Sequence, residues 1–261
     1  MARELCVRDY FLRVTLGNNY ERHRDETLEP LITKAVQPVR ITVILSDDIS
    51  KAIANRVTDT LESTIAIARA AGVDLHFWDR DPVVPANLFI FVSHNVALDQ
   101  EDSFADPISR LDRGVAIYEA LRGTVERPNE DCAFVSLSAD GRTRAIPGDQ
   151  QDGGLKLGVA LIPTTLDRKA FHGCLVEETL QILGLSYDFR GVVRSTFKDA
   201  WNGPSSPTVF DFMLLRLLYH PLMEPGMTED NVTDIFSKAY STIISSQPRC
   251  ESVDDCLEVE S

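Results

Sequence analysis

Most of the local signatures of an enzyme are missing from this chain of 261 residues. It has no Gly-x-Ser-x-Gly elbow to present a serine nucleophile. It has no Gly-x-x-x-x-Gly-Lys loop or Gly-x-Gly-x-x-Gly turn to cradle a phosphate. Its five cysteines, Cys6, Cys132, Cys174, Cys250 and Cys256, include no Cys-x-x-Cys pair, which argues against zinc ribbons and thioredoxin-type chemistry. Its five histidines, His23, His76, His94, His172 and His220, include no two at metal-ligand spacing, and each reads as a surface or satisfied core residue. Positive charge is also scarce, with 26 Lys and Arg against 40 Asp and Glu. A net charge of −14 argues against nucleic acid or an anionic membrane surface as a partner. No apolar run approaches the ~20 residues of a membrane span, so no transmembrane segment is expected.

What is present fits a soluble globular domain. Hydrophobic residues make up 44% of the chain, enough for a sizeable core. The acid is partly gathered in a tail over residues 249–261, after a single domain expected over 1–248 with lobes of about 1–168 and 169–248. Apolar spacing predicts helices over Glu4–Leu16, Ser50–Ala71 and Pro107–Leu121, and strands over Val39–Leu45, Val73–Phe77, Asn87–Val92, Ala133–Ser138 and Leu157–Ile162. The second half reads as helical over Lys169–Leu183, Val209–Leu218 and Glu229–Ile244, with Thr208 and Thr228 as N-caps. Periodicity alone gives an α+β fold with a mixed sheet.

The most informative stretch runs from Cys174 to Asp188. Within it, Glu177-Glu178-x-x-Gln181-x-Leu183-Gly184-Leu185 has the frame of a peptidase helix in which His-Glu-x-x-His sets two imidazoles one turn apart with a general-base Glu between them. Glu177 and Gln181 stand at the ligand positions and Glu178 at that of the base. With Asp211-x-x-Leu214-Leu215-Arg216-x-Leu218-Tyr219-x-Pro221 and Pro225-Gly226-Met227, the motif resembles an exported bacterial family catalogued as a domain of unknown function. The architecture resembles the zincins, their metzincin branch in particular. The resemblance implies a mixed sheet packed on a long helix and a site helix, followed by a helical C-terminal part.

The ligands, however, are wrong for zinc. A tetrahedral zinc site prefers imidazole and thiolate, and Gln181 offers only a neutral amide. The third ligand position falls at Tyr187, with Asp188 beside it. An oxygen set of Glu177, Gln181 and Asp188 suits only a hard divalent cation such as calcium, magnesium or manganese. The region of the metzincin methionine turn, Trp201–Pro207, contains no Met. No cofactor is therefore expected, with a hard cation as the alternative.

The resemblance has further implications. Adjacent helical residues point about 100° apart, so Glu177 should share a face with Gln181 while Glu178 flanks the cleft or pairs with a donor such as Arg216. Tyr187, Asp211, Arg216 and Tyr219 are the other candidate binding residues. Asp211 also suits a helix cap, and Tyr219 and Arg216 could bond the site helix. In an oxidising compartment Cys132 and Cys174 should bridge, Cys250 and Cys256 could close a small loop, and Cys6 would stay single. Gly158–Pro163 is expected as the edge strand beside the cleft. Two functions stay open. One is a non-catalytic pseudoenzyme that binds a peptide or protein in the cell envelope. The other is a hydrolase using Glu178 as general base with an atypical oxygen-ligated metal. No signal peptide is visible, whereas the resemblance implies a periplasmic or secreted protein.

Overall fold

A computed structural model describes residues 2–16, 31–79, 86–93, 132–138, 154–187, 195–197 and 204–246. The described elements are, in chain order, α1 (Ala2–Leu16), β1 (Lys34–Ala35), β2 (Val39–Leu45), α2 (Lys51–Ala70), β3 (Leu75–Phe77), β4 (Leu88–Ser93), β5 (Ala133–Ser138), β6 (Gly154–Pro163), α3 (Arg168–Ile182), α4 (Val209–Leu218) and α5 (Glu229–Ser246). The result is a mixed α/β fold around one six-stranded sheet.

Four strands run parallel in the order β3-β2-β4-β6, with short β1 lying parallel to the start of β6 and β5 antiparallel along it. The register explains why β4 and β6 read as nearly unbroken apolar runs. Leu88, Ile90 and Val92 lie opposite Gly158, Ala160 and Ile162, on the face covered by α2 and α3. Their alternates Phe91, Val159 and Leu161 are also buried, outside that main core. A strand buried on both faces loses the alternation that marks a half-exposed one.

That two-sided burial corrects one expectation. Gly158–Pro163 is not an edge strand: it pairs with β4 on one side and with β5 on the other. Among the described residues the edge on this side of the sheet is β5, which pairs with β6 alone.

The helices follow from their stripes and caps. In α2, Val57, Thr60, Leu61, Thr64, Ile65 and Ala68 form one buried stripe at helical spacing, and the Ser50 hydroxyl accepts the Ile53 N–H at the N-cap. The Thr208 hydroxyl and the Asp211 carboxylate close a reciprocal capping box at the start of α4. Asn231 and Thr228 exchange similar bonds ahead of α5. Aromatic contacts join α1 to this part of the molecule, with Phe11 and Phe236 ring centres 5.8 Å apart and Tyr10 edge-on to Phe210 at 4.8 Å.

Two glycines allow close approaches. A Cβ on Gly158 would stand 2.2 Å from Cγ2 of Ile182, so its absence lets α3 settle onto β6. Gly184 has φ +112°, and a Cβ there would meet the Thr33 carbonyl oxygen at 2.0 Å. The expected helix over Pro107–Leu121 lies outside the described residues.

Candidate functional site

The candidate site is the face of α3 that looks at the edge of the sheet. Asp167 starts the helix, its carboxylate accepting the N–H groups of Lys169 at 2.8 Å and Ala170 at 2.9 Å. From Phe171 to Ile182 only His172, Gly173 and Glu177 are more than marginally exposed. A helix buried nearly all round takes its faces from its neighbours.

Cys174, Glu178 and Ile182 stand one turn apart along one line of α3. Cys174 is bonded to Cys132, with Cα atoms 6.0 Å apart, and Ile182 packs on Gly158 of β6. Glu178 lies between those anchors and therefore faces the β5–β6 part of the sheet. The bridge is the one expected, and strand parity explains it. Phe134 lies opposite Ala160 on the α3 face, and Cys132, two residues earlier, continues that parity.

The adjoining line holds Gly173, Glu177 and Gln181. The bare Cα of Gly173 approaches the Pro204 carbonyl, 3.8 Å from where its Cβ would be, so this line turns toward the chain segment ahead of α4. Glu178 is only 6% exposed and Gln181 4%, whereas Glu177 is half-buried. The sequence frame thus distinguishes the lines of Glu177 and Glu178 but not their depths. On the α2 side, His172 Nδ1 lies 2.7 Å from the Thr60 hydroxyl. Burial, followed by the charges of Arg168 and Arg56, holds the His172 pKa below its ordinary value.

The C-terminal end of α3 is tied by Tyr219. Its hydroxyl donates to the Leu183 carbonyl and accepts the Ala35 N–H, both at 3.0 Å, joining α3, β1 and the end of α4. Burial pushes the phenol pKa up, and the Ala35 bond opposes that only in part. Lys34 lies over the same ring, 5.7 Å from its centre, and donates to the carbonyls of Leu218, the last residue of α4, and of Met223 in the turn beyond it. Burial lowers its pKa, against the attraction of Glu224. Neither Lys34 nor β1 was legible in the sequence. A two-residue strand inside a polar stretch carries no periodic signal, and a lysine there reads as solvated.

Asp211 has a structural place. Its carboxylate accepts from the Ser195 hydroxyl at 2.5 Å, the Thr196 N–H, and the N–H and hydroxyl of Thr208. Burial raises its pKa, and the bonds from Ser195, Thr208 and Thr196 resist. It thereby holds residues 195–197 against the start of α4. Arg216 sits over the Phe212 ring at 5.8 Å, and the Tyr187 N–H bonds the Val14 carbonyl at 3.1 Å. Asp188, Cys250 and Cys256 lie outside the described residues, while Cys6 is exposed as a free thiol.

Among the described residues no three His, Cys, Asp or Glu side chains are grouped as a metal centre requires. The donor chemistry of α3 does not fit zinc. Glu178 is turned to the sheet, and Glu177 and Gln181 supply one carboxylate and one neutral amide. The helix thus carries two buried polar groups, Glu178 toward the sheet and Gln181 on the adjoining line, with the half-buried Glu177 the more open of its two carboxylates.

A family model described as "Protein of unknown function (DUF2927)" matches residues 6–238. No curated protein and no solved structure matches the chain.

Proposed function

This chain belongs to the DUF2927 family, and from that premise we propose that it is a zincin-like pseudoenzyme whose cleft holds an extended peptide or protein segment beside β5 and α3. The observation that carries the reading is the placement of β5. It is an antiparallel edge strand with one paired neighbour among the described residues, bonded through Cys132 to the helix that bears Glu177, Glu178 and Gln181. A strand edge offers main-chain donors and acceptors to an added strand, and side chains on the flanking helix supply selectivity. A site helix that follows a strand of the sheet is a feature expected of a zincin-like arrangement. The replacement of both imidazoles by Glu177 and Gln181 favours binding over hydrolysis. A disulfide favours an oxidising compartment such as the cell envelope. None of the described helices is long and apolar enough to cross a membrane.

The test is selection of ligands from a library of random extended peptides on the oxidised protein. A selected peptide should slow amide exchange in Ala133–Ser138 and lose affinity when its own backbone amides are N-methylated. Binding that leaves the β5 amides untouched would refute strand addition. Elemental analysis should find no stoichiometric zinc. The hydrolase alternative would be recognised by turnover of such peptides that depends on an added hard cation and disappears in Glu178→Gln.

A further inference from the structure

We infer that the Cys132–Cys174 bond is a redox-operated tether of the edge strand, so that its reduction loosens β5 from α3 while leaving the rest of the sheet folded. The inference rests on the proposal that β5 and α3 frame the binding cleft, and it adds a way of controlling that cleft.

Three observations carry it. The first is where the bond ends. One cysteine immediately precedes β5, and the other lies one helical turn before Glu177 and Glu178. Any movement of that end of β5 is therefore movement relative to the site residues.

The second is how unequally the strands are held. β2 pairs with β3 and β4, β4 pairs with β2 and β6, and all are covered by a continuous core. β5 pairs only with β6 among the described residues, and its ladder is already irregular between Leu137 and Ser138. Strands paired on one side open at lower free energy than central ones. The bond spans 42 residues of sequence, so it restrains a long stretch of chain that no short turn would hold in its place.

The third is access. Cys174 is 9% exposed and Cys132 half-buried, so the Cys132 side of the bond is the more open one for an attacking thiolate. The step is thiol–disulfide exchange with a dithiol reductant. One thiolate attacks a protein sulfur and releases the other as a thiolate. The reductant's second thiol then displaces the mixed disulfide, leaving two protein thiols and an oxidised, cyclic reductant.

The test is amide hydrogen exchange on the full chain, oxidised and after dithiothreitol, with no ligand present. Reduction should speed exchange at Ala133 and Val135, which lie opposite Leu161 and Val159, by about tenfold or more, while Val43 of β2 and Ile90 of β4 keep their protection. A Cys132→Ala/Cys174→Ala variant should match the reduced protein and should not respond to dithiothreitol, which separates this bond from the other cysteines. Unchanged β5 exchange on reduction would overturn the tether. An equal rise in every strand would also overturn it, since the bond would then support the whole fold. Because exchange is read without peptide, the tether can hold even where the peptide selection fails, and the reverse.

Discussion

Removing one oxygen atom should loosen the C-terminal end of the site helix. In Tyr219→Phe the ring remains, and with it the packing and the position of Lys34 over its face. What disappears is a hydroxyl that donates to Leu183 O and accepts from Ala35 N, both at 3.0 Å. Phenylalanine offers nothing in return, so one amide and one carbonyl lose this partner at a part-buried site. An orphaned buried donor costs about 1–3 kcal/mol and an orphaned carbonyl somewhat less, which gives about 3 kcal/mol in total. For a protein of this size that corresponds to a fall in melting temperature of about 6–12 °C. The assay is a pair of thermal melts, with amide exchange at Ala35 as the local reporter. A shift below about 1 °C, with Ala35 still protected, would refute the reasoning, because it would mean the two groups find other partners at no cost.

Three other outcomes can be checked by similar means. Gly158→Ala should destabilise the protein by about 1–3 kcal/mol through collision with Ile182, and the Gly158→Ala/Ile182→Ala double variant should lose less than the sum of its single changes, as urea melts will show. Glu178→Ala should cost more than Glu177→Ala, about 2–4 against about 1 kcal/mol, since the first carboxylate is buried and the second half-buried; equal losses would place both in water. The lowered pKa of His172 means that the unfolded chain takes up its proton first, so stability should fall as pH drops from about 6.5 toward the folded pKa, and the pH-dependence should flatten in His172→Gln.

How far the sequence could be read depended on whether each signal was local. Val39–Leu45, Ala133–Ser138 and Val209–Leu218 have the ends that apolar spacing predicts, because each is a periodic run between turn or capping residues. The Thr208 cap was legible for the same reason, and the Cys132–Cys174 bridge from the resemblance. The edge was misassigned because pairing is a property of the sheet: nothing in Gly158–Pro163 states how many neighbours it has, although its apolar residues on both parities were a hint. Asp211 was readable as a cap, but its hold on Ser195 and Thr196 depends on a loop folding back, which no spacing records. The depth of Glu178 was hidden likewise, since helical phase gives direction and only the neighbouring elements give burial.

The short segment around β1 has a consequence for the order of assembly. Ile32 exchanges backbone bonds with Gly226 and Met227, Lys34 and Ala35 pair with Gly154 and Leu155, and the Val14 carbonyl waits for Tyr187. By contrast β2, α2 and β3 bring their partners within a few tens of residues. Long-range closures form late, because chain entropy must be spent before they return any energy. The N-terminal segment is thus seated only after the chain has been made beyond Met227. A nascent chain would keep Ile32–Ala35 open to proteases until then, and truncations ending before residue 226 should show the same sensitivity in a limited digest.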